Sequence, residues 1–294
     1  MILWFVFMMA CDCDLKPFMS KAAYAQPAYQ TQFKSLPDGS LDVKSEYSHI
    51  LVRDNGSQRS LYFVRDTGEV VLESSVDVVR PYDLLVPYTQ VMMATHLFRP
   101  KSQAALLIGV GGGGMLHYMR AFFPEMAVDA VDIDPVIIDI AQRYFSLSSD
   151  SGLSLHTADG FAFIADGQKK YDIVFMDAFL KPSVDTDPTG THLRLKTLSF
   201  YTQLKERLKP NGVVAFNINP HPTVDQDIGT IKEAFSQVWV VPVPTRGNTI
   251  VFASTQSEPI TWEQLKSAAS ALDKNKATTL SYAALAGLIQ DSVP

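Results

Sequence analysis

Three aspartates, each closing an apolar run, are the residues of this chain best suited to chemistry: Asp132, Asp159 and Asp177. Asp177 ends Tyr171-Asp172-Ile173-Val174-Phe175-Met176-Asp177. A carboxylate at the end of a buried strand can orient or deprotonate an attacking amine. Asp159-Gly160 follows the run Leu153 to His156. There a carboxylate or its neighbouring backbone can receive an adenine amino group, and it can also cap the next helix. Asp132 opens Asp132-Ile133-Asp134-Pro135 after the run Ala127 to Val131. It lies roughly twenty residues beyond a glycine turn, where an acid accepts hydrogen bonds from ribose hydroxyls. Asp172 sits at the opposite end of its run and reads as structural. Asp185 and Asp187 fall in the long segment Leu180 to Lys196, a candidate lid. They can bind a cationic substrate or serve as solvated turn residues.

The glycine turn is Gly109-Val110-Gly111-Gly112-Gly113-Gly114, directly after Ala104-Ala105-Leu106-Leu107-Ile108. Strand, glycine turn and helix in that order form a nucleotide-type site. Gly109, Gly111 and Gly113 let the backbone approach a ligand where a Cβ would clash. With Asp132 and Ile133 beyond the second strand, the pattern points to an adenosine-containing cofactor. A dehydrogenase reading of the glycine run is the weaker one.

These residues need a scaffold that gathers strand ends. From about 103 to 255 strand and helix patterns alternate, which predicts a doubly wound parallel sheet. The last two strands, Val238 to Val243 and Thr249 to Ala253, flank Pro244 to Asn248 and predict an antiparallel edge hairpin. Before this, Tyr47 to Val52, Ser60 to Val64 and Val70 to Leu72 predict a small antiparallel sheet with turns at Asn55-Gly56 and Thr67-Gly68. Tyr88 to Phe98 predicts a helix leading into the glycine strand. Leu198 to Leu208 predicts another, closed by Pro210-Asn211-Gly212. The organisation expected is a leader and linker over 1–35, a β-hairpin unit plus helix over 36–98, a Rossmann-like catalytic unit over 99–255 and a helical tail over 256–294.

The chain has 294 residues, 47% of them hydrophobic, and a net charge of −6. That composition is globular, and it offers no basic field for nucleic acid. The two cysteines, Cys11 and Cys13, both lie in the leader, so the body has no disulfide framework. The six histidines show no metal-ligand spacing, and no metal is expected. Ile2 to Ala10 is apolar but too short to span a bilayer. Residues 1–25 read as an export or lipid-anchoring segment, a non-functional extension or a misassigned start. A cytoplasmic location is expected, with export or anchoring as the alternative.

These motifs resemble the spermidine synthase family of aminopropyltransferases, from about Ser45 to Ser254. The family's Ser-x-Tyr-Gln-x-Ile start is similar to Ser45-Glu46-Tyr47-Ser48-His49-Ile50, and its Tyr-His-Glu helix to Tyr88-Thr89-Gln90. Its Gly-Gly-Gly-Asp-Gly-Gly motif falls on Gly109 to Gly114, its ribose acid on Asp132 and its Asp-Gly motif on Asp159-Gly160. Its catalytic Asp-Ser-Ser-Asp-Pro falls on Asp177-Ala178-Phe179-Leu180-Lys181. The resemblance implies a methyltransferase-like Rossmann sheet after a small antiparallel β domain. It implies Asp177 as catalytic residue, Tyr47 and Tyr88 as substrate contacts, and a homo-oligomer, commonly a dimer.

The departures are specific. The motif's internal Asp is Gly112, its second catalytic Asp is Leu180, and its N-terminal Gln is Ser48. A dication loses binding energy when carboxylate partners vanish. The expected activity is aminopropyl transfer from decarboxylated S-adenosylmethionine to a small cationic amine such as putrescine. Spermidine synthase-like methyltransferases, among them a eukaryotic elongation-factor methyltransferase, are similar over Asp129 to Pro135. Methyl transfer from S-adenosylmethionine to another acceptor is therefore the alternative. A non-catalytic nucleoside-binding protein is the third reading, and three retained aspartates argue against it.

Overall fold

The computed structural model describes residues 18–20, 27, 29, 31–244, 247–276 and 278–290. The proposed export or anchoring segment lies largely outside the described residues, as do Cys11, Cys13 and Arg246. No helix among the described residues is long and apolar enough to cross a membrane.

The N-terminal unit is a four-stranded antiparallel meander: β1 (Ser40–Lys44), β2 (His49–Asn55), β3 (Gln58–Val64) and β4 (Val70–Asp77). The sequence predicts three of these. β1 is the edge strand, with no buried residue, so its side chains carry little hydrophobic signal. Gly56 and Gly68 close the two predicted turns at positive φ (61° and 82°). The helix predicted over Tyr88 to Phe98 is two short ones, α1 (Pro87–Met92) and α2 (Thr95–Phe98).

A seven-stranded sheet follows, built from β5 (Ala104–Ile108), β6 (Ala127–Asp132), β7 (Leu153–Thr157), β8 (Tyr171–Met176), β9 (Leu208–Ile218), β10 (Gln237–Pro242) and β11 (Thr249–Ser254). Its order is β10-β11-β9-β8-β5-β6-β7, with β11 antiparallel to both neighbours. The expected hairpin is present, and its second strand inserts between the first and β9. Between the strands run α3 (Gly114–Phe122), α4 (Pro135–Tyr144), α5 (Gly160–Asp166), α6 (Leu198–Glu206) and α7 (Val224–Ala234). The tail forms α8 (Trp262–Asn275) and α9 (Tyr282–Gln290).

Strand β5 shows why the sheet is central. All five residues are buried. Ala105 and Leu107 join the core layer of α3, α4, α8 and α9, while Leu106 and Ile108 join the layer of α5, α6 and α7. Side chains alternate across a strand, so a strand covered on both faces is a continuous apolar run. Its C-terminal end lies beside those of β6, β7 and β8, where backbone polar groups emerge.

Helix α6 stops at Glu206, short of the predicted end. Pro210-Asn211-Gly212, read as its closing turn, belongs to β9. The register against β8 shifts between Tyr171 and Ile173, and Asn211 takes a positive φ of 61°. The turn residues are real, but they bulge a strand instead of ending a helix. At the same end of the sheet Asp172 is a structural hub. It accepts hydrogen bonds from Arg99 (2.6 Å), Lys209 (2.8 Å) and the Gln103 and Ala104 N–H groups.

Part of the stretch read as leader and linker is anchored. Ser20 N–H donates to the Thr279 carbonyl and Ser281 N–H to that of Phe18, both at 2.7 Å. Tyr29 meets His117 at 2.7 Å. The N-terminal sheet is likewise tied to the Rossmann unit. Arg59 pairs with Asp54 and donates to the carbonyls of Lys34 and Tyr144. Ser45 donates to Asp134, the residue that caps α4.

Candidate active site

The glycine turn leaves β5 with Gly109, Gly111 and Gly113 at φ 94°, 51° and 69°. Side chains are excluded here by contact as well as by conformation. A Cβ on Gly109 would lie 2.0 Å from the Asp177 carbonyl oxygen. One on Gly113 would lie 2.2 Å from the Leu147 side chain. Asp177 N–H donates to the Ile108 carbonyl at 2.9 Å, so the ends of β5 and β8 are locked together.

Asp132 lies beneath this turn. Its carboxylate accepts the Val110 N–H (2.9 Å) and the Asp134 N–H (3.0 Å). Burial pushes its pKa up to about 6, against the pull of these N–H groups. Asp159 caps α5 by accepting the Phe161 N–H at 2.9 Å. Its other oxygen meets the Arg194 guanidinium at 3.2 Å, and that guanidinium lies 4.2 Å above the Phe161 ring. Asp132, Ile133, Asp159, Gly160 and Phe161 line a cleft of about 530 Å³, closed opposite by Ala178 to Leu180, His192 and Leu195. The lining is largely apolar, with Asp132, Asp159, His192 and Arg194 as its charged or polar side chains. A Cβ on Gly160 would come within 2.6 Å of Ile108, so the turn into α5 packs tightly on the sheet.

The cleft continues past Gly109, Asp132, Phe179 and Leu180 into a second cavity of about 750 Å³. Asp177 lines it. Asn217 donates to Asp177 Oδ1 at 2.8 Å and the Tyr88 hydroxyl to Oδ2 at 3.2 Å. Burial pushes the Asp177 carboxyl up to about 6, against both hydrogen bonds. Asn248 in turn fixes Asn217, donating to its Oδ1 at 2.9 Å and to Asn219 at 2.6 Å. The carboxylate therefore rests on a chain of side-chain amides reaching from β9 to the start of β11.

The acids lining this second cavity are Glu73, Asp132, Asp134 and Asp177. No Lys, Arg or His lines it among the described residues. Such a cavity favours a cationic occupant. Glu73 was not anticipated from the sequence, nor were Asn217 and Asn248. The polar run Glu73-Ser74-Ser75 after Val70-Val71-Leu72 was the only signal for Glu73, and the strand's register hides which side chain turns inward.

The structure brings Gly109, Gly111, Asp132, Ile133, Asp159, Gly160, Asp177 and Tyr88 into this continuous cleft. Gly113 supports it from behind, against Leu147. Tyr47 is half-buried and lines neither cavity. Burial and the carboxylates of Glu46, Asp134 and Asp159 raise its phenol pKa. Asp185 and Asp187 are not brought to the cleft. Asp185 is exposed and accepts the Leu193 N–H through its carbonyl. Asp187 is buried and held by Lys196 (2.6 Å) and Thr189 (2.7 Å). With Asp227 and His221 it forms a cluster whose ligand-type atoms lie within 4.8 Å of one another. The Lys196 ammonium already sits in that cluster, bonded to Asp187 and Asp227. The substrate role expected of Asp185 and Asp187 is thus corrected: the loop turns back on itself, and a lysine neutralises Asp187.

Fold and cleft together define an α/β protein with a methyltransferase-like Rossmann sheet. The chain belongs to the spermine/spermidine synthase domain family, whose model matches residues 86–264, and it is accordingly a transferase. A polyamine aminopropyltransferase of Vibrio vulnificus is 29% identical over 226 residues, covering 74% of this chain and 72% of that protein. An eEF1A lysine and N-terminal methyltransferase of Xenopus laevis is 30% identical over 184 residues, covering 60% of this chain and 26% of that protein. Two solved structures share the fold. Human methyltransferase-like protein 13, in complex with SAH, has a TM-score of 0.59 at 24% identity, covering 64% of this chain and 91% of that one. A spermidine synthase in complex with the transition-state analogue AdoDATO has a TM-score of 0.56 at 16% identity, covering 93% of this chain and 95% of that one.

Proposed function

We propose that this chain transfers an aminopropyl group from decarboxylated S-adenosylmethionine to a small amine. The observation that carries this reading is the acid-lined, cation-free cavity at the far end of the nucleoside cleft. S-adenosylmethionine would place a carboxylate there, among Glu73, Asp134 and Asp177. The decarboxylated form would place only an ammonium, which those acids attract.

Asp132 and the N–H groups of the glycine turn would hold the ribose, and Asp159 with Ile133 and Phe161 the adenine. The donor supplies a carbon bound to positively charged sulfur, which leaves as a neutral thioether. The protein's part is alignment and proton removal. Asp177, fixed through both oxygens, would take the proton that the acceptor ammonium must lose. Its raised pKa suits a base that works near neutral pH. Tyr88 would orient Asp177 through its hydroxyl, and Tyr47 remains a proposed substrate contact. The homo-oligomer expected from the family resemblance and the cytoplasmic location expected from the sequence belong to this proposal.

Methyl transfer from S-adenosylmethionine is the second reading. It is favoured by Gly112 and Leu180, where the family's amine-binding acids are missing, and by the methyltransferase relatives. A product assay with both donors and putrescine separates the two. Spermidine formed only from the decarboxylated donor supports the proposal. Methyl transfer without aminopropyl transfer overturns it.

A further inference from the structure

Glu73 is the residue that breaks the register of β4. Leu61 pairs with Ser74 and Tyr62 with Leu72, so Glu73 is the extra residue of a bulge. A bulge re-aims a side chain and sharpens the local twist. Glu73 consequently lines the same cavity as Asp177, Tyr88 and Ser48. It also lines an adjoining opening bordered by His49, Arg65 and Lys181. It therefore stands where an acceptor entering from outside would meet the reacting end of the cleft.

The electrostatics agree with that placement. Burial and the nearby Asp177 carboxylate push Glu73 up to about 8, with Arg65 pulling it down. Two carboxyl groups facing one cavity resist joint ionisation until a cation lies between them. The basic groups at the opening are themselves occupied: Arg65 pairs with Glu69 at 3.3 Å and Lys181 with Asp66 at 2.7 Å. The loop after β8 supplies no second acid, since Leu180 stands where the family motif has one.

We propose that Glu73 is a substrate-binding residue that clasps the acceptor's ammonium together with Asp177, supplying from the N-terminal sheet the acid that Leu180 does not. The assignment deepens the amine-transfer reading and rests on it. It makes the bulge a part of the site, and it makes the N-terminal sheet a wall of the acceptor pocket.

The test is calorimetric titration of putrescine into the full-length protein loaded with 5′-methylthioadenosine, the nucleoside left by aminopropyl transfer. The wild type should bind putrescine, and Glu73→Gln should bind it about tenfold or more weakly, the effect of losing one charged contact. Affinity for the nucleoside should stay within about twofold, and Glu73→Asp should recover part of the amine affinity. Glu263→Gln, on the exposed face of α8, should bind putrescine as the wild type does. Equal affinity in Glu73→Gln and wild type overturns the assignment, as does a wild type that binds no putrescine. Failure of the aminopropyl reading has a different signature: putrescine binds through Glu73, but no spermidine forms from the decarboxylated donor.

Discussion

The Cβ that Gly109 lacks would stand 2.0 Å from the carbonyl oxygen of Asp177. The glycine turn and the proposed base are therefore one mechanical unit. Strand β8 can place Asp177 over the cavity only because β5 is followed by a residue without a side chain. Gly109→Ala should push the Asp177 backbone away and strain a φ of 94°. The conformation alone costs about 1–3 kcal/mol. We expect a lower Tm together with weakened nucleoside binding, read by thermal melting and calorimetry. A variant with wild-type stability and affinity would contradict this coupling.

Asp177→Asn keeps the shape of the side chain and removes the base. Turnover should fall by about 10²-fold or more, while donor affinity stays nearly unchanged. Steady-state kinetics beside a donor titration tests this. Unchanged turnover removes Asp177 from the mechanism.

The pH dependence follows from the same carboxylate. Its pKa is raised to about 6, chiefly by burial, so the basic form populates as pH climbs through that value. Activity should rise between about pH 5 and 7. The groups around it are Tyr88 from α1, Asn217 from β9 and Glu73 from β4. For stability the sign is opposite. A raised carboxyl pKa means the folded state holds the proton more tightly. That contribution is complete below the unfolded pKa and is lost as pH rises through about 6. Asp177→Asn should thus raise Tm by a few degrees at pH 8 and change it little at pH 4. A lowered Tm at pH 8 would show that the ionised carboxylate is stabilising.

Asn248 touches Asp177 only through Asn217, so its role is positioning. Asn248→Ala frees the Asn217 amide to rotate and weakens its hydrogen bond to Asp177 Oδ1. The acidic limb of the rate profile should then move to higher pH, by about half a unit to one unit. A uniform loss of rate with an unmoved limb would indicate a structural effect alone.

Asp132→Ala should weaken nucleoside binding by about 1–3 kcal/mol, the value of a charged hydrogen bond. It also leaves the Val110 and Asp134 N–H groups without their acceptor, so stability should fall with affinity. Asp132→Asn keeps an acceptor for one of them and separates the two effects in the same titration.

The glycine turn and the strand-end acids were legible because they are local. Gly109 to Gly114 follows a fully apolar strand, and Asp132, Asp159 and Asp177 each close one. Periodicity alone places such residues at one edge of a parallel sheet. What stayed hidden depends on register and long-range pairing. Glu73 enters the cavity because a single residue is added opposite β3. Asn248 reaches the site because β11 inserts between β9 and β10. Asp187 looked available in a polar loop, and only the folded loop shows Lys196 bound to it. Pro210-Asn211-Gly212 signals a turn in sequence, yet the sheet absorbs it as a bulge in β9.

The most direct test of the central claim is calorimetry of the full-length chain with S-adenosylmethionine and its decarboxylated form side by side. The acid-lined cavity predicts tighter binding of the decarboxylated donor, by about tenfold or more, as expected when a carboxylate is kept away from Glu73 and Asp177. Equal affinity, or preference for S-adenosylmethionine, would contradict the aminopropyl reading and point to methyl transfer.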